Sequence, residues 1–171
     1  LLRHCLYNST IAGRESRIAE TGGLICFYTA EQAIVLINAV GIDPTPASGG
    51  IANPLTLAPE ERAGYAFHDP AKFSPALLGA GGIAAIVANQ EQLLVYAGEP
   101  FMNDPGLRVR LKDMAIPALV LWGESDRIVT PAYGKQFAEL IPSAQFELMP
   151  QAGHFPQIEQ LDRVMAYLKN F

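Results

Sequence analysis

In the second half of the chain, short wholly apolar runs alternate with stretches whose apolar residues recur every three or four positions. Ala118-Leu119-Val120-Leu121-Trp122 follows Pro117 and is closed by Gly123. It is too short for a helix and shows no polar alternation, which predicts a strand buried on both faces of a parallel sheet. Thr130 can then cap a helix with Pro131 at its first position, and Tyr133, Phe137, Leu140 and Ile141 mark one face of that helix up to Pro142. Phe146-Glu147-Leu148-Met149 predicts a second strand, stopped by Pro150, and Gly153-His154-Phe155-Pro156 the loop after it. Leu161, Val164, Met165 and Leu168 predict the apolar face of a terminal helix. Strands alternating with helices in this way predict the α/β class, a parallel sheet with flanking helices.

Upstream, Ile34-Val35-Leu36-Ile37 is a third candidate central strand. Residues Asp43 to Pro54 are rich in Pro, Gly, Ser and Thr and read as a loop. Ala58-Pro59-Glu60-Glu61 then opens a helical pattern, and Ile83 to Tyr96 predicts another helix. The middle third therefore reads as a helical insertion between two strands of one sheet. The first 33 residues show no sustained period of two or 3.6 and give no element. No internal repeat or low-complexity tract is present.

Composition narrows the function classes. The chain has 171 residues, half of them hydrophobic, which suits one globular unit with a core of its own. The net charge is -5 and the 12 Lys and Arg residues form no basic stripe, so no nucleic-acid partner is expected. The longest mainly apolar stretch, Leu77 to Val87, is interrupted by glycines and falls short of the roughly 20 residues of a bilayer crossing, so no membrane span is expected. Cys5 and Cys26 form neither a CxxC pair nor a metal-ligand spacing; they read as free thiols of a cytoplasmic protein. The chain opens on Leu1 rather than Met, and a missing true N-terminus is expected.

Two residues carry chemistry. Asp126 lies just past the strand ending at Trp122, and His154 just past the strand ending at Met149. Parallel sheets bind ligands at the carboxyl ends of their strands, so the two loops can bring a carboxylate and an imidazole together. A carboxylate that accepts from one ring nitrogen fixes the tautomer and leaves the other nitrogen as a general base.

The segment from Ile116 through Trp122-Gly123-Glu124-Ser125-Asp126 to Pro131, followed by Gln151-Ala152-Gly153-His154-Phe155-Pro156, resembles the acid and histidine loops of the α/β-hydrolase fold family. Val35 to Gly41 is similar to the strand before that family's cap, and Pro105 to Leu111 resembles the return from it. The resemblance implies a partial α/β-hydrolase fold, with residues 1-42 a remnant of the N-terminal core, 43-112 a helical cap and 113-171 the C-terminal core. It implies Asp126 and His154 as acid and base of a catalytic triad. It further implies hydrolysis of an ester, thioester or activated carbon-carbon bond in a small, partly apolar substrate, with no cofactor or metal.

The family's GxSxG nucleophile elbow has no match here, so the nucleophile is unknown. Ala19-Glu20-Thr21-Gly22-Gly23 is the nearest echo, and Ser9, Ser16, Ser48 and Ser74 lack the context. Without a nucleophile the chain would be an inactive fragment or a relative that only binds a small molecule. Trp122, Phe155 and Phe67 are candidate pocket walls, with Leu77, Leu78 and Ile83 as further apolar cap residues; His68 reads as a turn residue. A sheet lacking its first strands would bare an apolar edge, so self-association is expected.

Overall fold

The computed structural model describes residues 6-11, 14-21, 24-29, 33-73, 88-90, 92, 93, 95 and 97-171. Six strands form one sheet in chain order: β1 (Leu6–Ile11), β2 (Arg14–Thr21), β3 (Leu24–Thr29), β4 (Ala33–Ile37), β5 (Ala118–Gly123) and β6 (Ala144–Met149). The helices described from end to end are α1 (Pro59–Ala66), α2 (Leu107–Lys112), α3 (Pro131–Glu139), α4 (Pro156–Glu159) and α5 (Leu161–Asn170).

The α/β class holds from β4 onward. β4, β5 and β6 run parallel, with Leu36 beside Val120 and Val120 beside Phe146. All six residues of β5 are buried, as an unbroken apolar run at the centre of a covered sheet should be. The first 33 residues, where the sequence shows no element, contribute the first three strands: β1 to β4 pair antiparallel in succession. Because β3 lies along β4 with Phe27 opposite Val35, the bare edge behind the expected self-association is covered on that side.

Alternation along the central strands sends side chains to two layers. Leu36, Val120 and Trp122 pack with Tyr133, Phe137 and Ile141 of the α3 region, while Val35, Ile37, Leu119 and Leu121 pack with Met149, Ala152 and Val164. α3 begins as its sequence dictates, with Pro131 at the first turn and the Thr130 hydroxyl accepting from the Tyr133 amide. Trp122, Tyr133 and Phe137 form a tilted aromatic series with centroids 6.1 and 6.4 Å apart, a geometry worth roughly 0.5–1.5 kcal/mol per pair beyond burial. Gly134 lets α3 close on the indole: a Cβ there would stand 2.2 Å from Trp122 Cδ2.

The terminal helix carries one correction. Val164 is buried and Tyr167 and Leu168 pack beside it, but Leu161 is 56% exposed. Gln160, with φ -134° and ψ 45°, leaves the helical conformation, ends α4 and caps α5, so Leu161 is the first residue of a separate helix.

The long connection from β4 to β5 is pinned to α3 at its start. The Tyr133 hydroxyl accepts from the Gly41 and Ile42 amides and donates to the Ile42 carbonyl. Burial of that phenol pushes its pKa up to about 12. Within the connection α1 starts at Pro59 as predicted, with the Glu61 carboxylate accepting from the Ala58 amide. Of the helix predicted over Ile83 to Tyr96, residues 88-90, 92, 93 and 95 are helical; Leu77, Leu78 and Ile83 lie outside the described residues. No helix among the described residues is long and apolar enough to cross a membrane.

Candidate active site

β4, β5 and β6 end side by side, and the three loops that leave them converge. The loop after β5 is a tight turn: Glu124 donates to the Met149 carbonyl, Ser125 to the Ala152 carbonyl and Asp126 back to the Gly123 carbonyl. Gly123 is required less for the turn than for this approach. A Cβ on it would lie 1.9 Å from the Gly153 carbonyl oxygen and 2.6 Å from that of Ala152.

Within this knot the Asp126 and His154 side chains meet. His154 Nδ1 is 2.9 Å from Asp126 Oδ2. Asp126 is buried, and its other oxygen accepts from the backbone amides of Ile128 (2.8 Å) and Val129 (3.1 Å). A further donor sits on Oδ2 itself: the Asn38 amide nitrogen at 2.5 Å. The carboxyl group therefore has three amide donors in place of water, with His154 Nδ1 as its fourth neighbour. Facing an ionised carboxylate, which only accepts, a neutral imidazole carries its proton on Nδ1 and its lone pair on Nε2.

The loop bearing His154 is held from two further directions. The Gly153 amide donates to Glu159 Oε2 at 2.6 Å, and the His154 amide donates to the Ala66 carbonyl at 2.6 Å. Glu159 Oε1 accepts from the His68 and Asp69 amides, so one side chain of α4 binds the histidine loop to the end of the α1 segment. His68 is exposed, as a turn residue should be, but its Nδ1 lies 2.7 Å from Ser125 Oγ in the acid loop. Asn38, Glu159 and this contact were not singled out from sequence. For Asn38 a signal existed: an amide directly past an apolar strand, at the same edge as Asp126 and His154.

The candidate pocket residues separate. Trp122 is fully buried, with Nε1 donating to the Val129 carbonyl and its ring beside Tyr133 of α3. Phe155 stands edge-on to His154 with centroids 5.0 Å apart, Phe67 lies 5.5 Å beyond it and Phe73 stacks on Phe67 at 4.9 Å. An aromatic series therefore leads away from the imidazole. It ends at a half-open, polar cleft of about 410 Å³ lined by His68, Asp69, Lys72, Phe73, Gln151, Glu159 and Gln160. A hydrogen bond from Lys72 holds the Asp69 carboxyl below its ordinary value there. Neither member of the acid–base pair lines this cleft.

Thr21, the nearest echo of a nucleophile, closes β2 opposite Leu24 of β3, so it sits between two strands and not at a strand-to-helix turn. Ser48 is buried in a turn with Thr45, and Ser74 lies outside the described residues. No group of three or more His, Cys, Asp or Glu able to hold a metal occurs among the described residues.

Comparison with known proteins bears on the whole of this region. The family model described as alpha/beta hydrolase fold matches residues 52-161. The chain is 39% identical to Lipase 1 of Psychrobacter immobilis over 56 residues, 33% of this chain and 18% of that protein. It is 36% identical to a 2-hydroxy-6-oxononadienedioate/2-hydroxy-6-oxononatrienedioate hydrolase of Paraburkholderia phymatum over 62 residues, 36% of this chain and 22% of that protein. Among solved structures, a meta-cleavage product hydrolase variant (CumD) superposes with a TM-score of 0.54 at 22% identity, covering 78% of this chain and 53% of that one. The matched parts thus span about a fifth of the two curated relatives and about half of the solved structure.

Proposed function

The chain belongs to the α/β-hydrolase fold family, and on that premise we propose that Asp126 and His154 are the acid and base of a hydrolytic triad. The observation that carries the reading is the His154 Nδ1 to Asp126 Oδ2 contact of 2.9 Å on a carboxylate already held by two backbone amides. In the reaction His154 Nε2 takes the proton of a nucleophile as that nucleophile attacks the substrate carbonyl. Asp126 stabilises the imidazolium, which then returns the proton to the leaving group. Water deacylates the intermediate by the same route in reverse. The bond cleaved is an ester, a thioester or an activated carbon-carbon bond, and the aromatic series beside His154 suits a small, partly apolar substrate. Similarity to a lipase and to a dienedioate hydrolase supports acyl chemistry over other uses of the fold.

The reading requires a nucleophile within reach of His154 Nε2. The sequence carries no GxSxG elbow, and this favours a second reading, a relative that binds a small molecule without turning it over. Hydrolysis of a short p-nitrophenyl acyl ester by the purified chain, beside His154→Ala and Asp126→Asn, separates the two. Turnover lost in His154→Ala and strongly reduced in Asp126→Asn supports the triad. Equal rates in all three proteins, or none in any, would leave binding as the function.

A further inference from the structure

We infer that Asn38 is a positioning residue for the acid–base pair: it holds Oδ2 of the Asp126 carboxylate against His154 Nδ1 and thereby the tautomer of His154. This rests on the reading of Asp126 and His154 as acid and base. Two backbone amides hold Oδ1 of Asp126. Asn38 Nδ2 anchors the other oxygen, Oδ2, which faces His154, so that both ends of the carboxylate are tethered.

The surroundings of position 38 call for an amide. Asn38 Oδ1 accepts from the Gly123 amide at 3.2 Å, while Nδ2 serves Asp126 Oδ2 and, at 3.4 Å, the Gly153 carbonyl. One branch must therefore accept and the other donate, and the orientation of the amide is set by its partners. Aspartate would turn an acceptor towards a carboxylate, and leucine would leave the Gly123 amide unpaired in the core. The side chain is 1% exposed, so no water can take its place without rearrangement. The backbone agrees: Asn38 has φ +45°, a left-handed conformation in which asparagine is enriched among residues with a Cβ, while its amide still extends the β4–β5 ladder to the Leu121 carbonyl. Asn38 thus touches the ends of β4 and β5, the acid loop and the histidine loop at once.

Removing the donor should free the carboxylate and loosen the hold on the Nδ1 proton, whether or not the chain turns over a substrate. The test is long-range ¹H–¹⁵N NMR of the histidine-labelled full chain in alkaline buffer, where imidazole is neutral, with the His154 signals assigned from His154→Ala. The wild type is expected to show one tautomer with the proton on Nδ1. Asn38→Gly removes the side chain while permitting the positive φ, and is expected to admit the Nε2–H form, the preference falling roughly tenfold, about the worth of one hydrogen bond to a charged acceptor. Tyr133→Phe, which removes hydrogen bonds from the same connection away from the pair, should destabilise the fold and leave the tautomer unchanged. If Asn38→Gly does not fold, Asn38→Ala, which likewise has no donor, is read in the same way. An unchanged single tautomer in the Asn38 variant overturns the positioning role alone, as does an equal disturbance in Tyr133→Phe. A wild type without the Nδ1–H form overturns the acid–base pair and this inference with it.

Discussion

Two helical glycines should respond to alanine with opposite signs. Propensity alone favours alanine at both Gly64 in α1 and Gly134 in α3, by about 1 kcal/mol each. Around Gly64 an added Cβ meets nothing within 4 Å, so Gly64→Ala is expected to stabilise by roughly 0.5–1 kcal/mol. At Gly134 the same methyl would stand 2.2, 2.5 and 2.7 Å from three atoms of the Trp122 ring system, well inside the roughly 3.5–4.0 Å of carbon–carbon contact. The indole has nowhere to swing: it is fully buried between the sheet and Tyr133, and Nε1 is bonded to the Val129 carbonyl. Overpacking of this kind costs about 1–3 kcal/mol, and a strained indole bond adds about 1 kcal/mol. Against the propensity gain of about 1 kcal/mol, the net for Gly134→Ala is a loss of roughly 1–3 kcal/mol. Urea denaturation followed by Trp122 fluorescence measures both variants. In a chain of this size each kcal/mol also moves Tm by roughly 2–4 °C. Gly134→Ala as stable as the wild type would refute the argument, since it would mean that α3 can move off the indole at no cost.

Further predictions follow from the same packing. Gly123→Ala drives a methyl into the backbone of the histidine loop and is expected to cost roughly 3 kcal/mol by urea denaturation; the His154 NMR signals should shift with it. Asp126→Ala strands the buried Ile128 and Val129 amides and should cost roughly 3 kcal/mol, more than any loss from the exposed Arg110–Asp104 pair. Tyr133 titrates higher in the folded chain than its ordinary value of 10.0, so its contribution is complete below pH 10 and is lost as pH rises through about 12. Alkaline unfolding monitored by circular dichroism should therefore begin in that window, and Tyr133→Phe should flatten the dependence while lowering stability at neutral pH.

What the sequence declared and what it concealed divide along the range of the interactions. β5 and α3 were legible because their signals are local: an apolar run between Pro117 and Gly123, then Thr130 and Pro131 ahead of a periodic face. Asp126 and His154 were legible because each follows a readable strand. β1 to β3 were not, since Arg14-Glu15-Ser16-Arg17 offers no apolar alternation and their pairing is a matter of backbone hydrogen bonds. Asn38 escaped notice because its partners Asp126 and Gly153 lie 88 and 115 positions away. Gly123 was read as the end of a strand, whereas its lack of a side chain answers to a loop reached only after another helix and strand.

The backbone contacts between residues 65–68 and the two loops of the acid–base pair constrain traffic into the protein. Arg127 donates to the Tyr65 carbonyl, His154 to the Ala66 carbonyl, and the His68 ring meets Ser125. Were this stretch to lift as a gate, the Arg127 and His154 amides beside the Asp126–His154 contact would lose their acceptors in the same motion. Opening the door there would dismantle the machinery behind it. Any substrate of the proposed pair would have to enter away from this root of the connection, and slow amide exchange at Arg127 and His154, matched to each other, would be the mark of a threshold that stays shut.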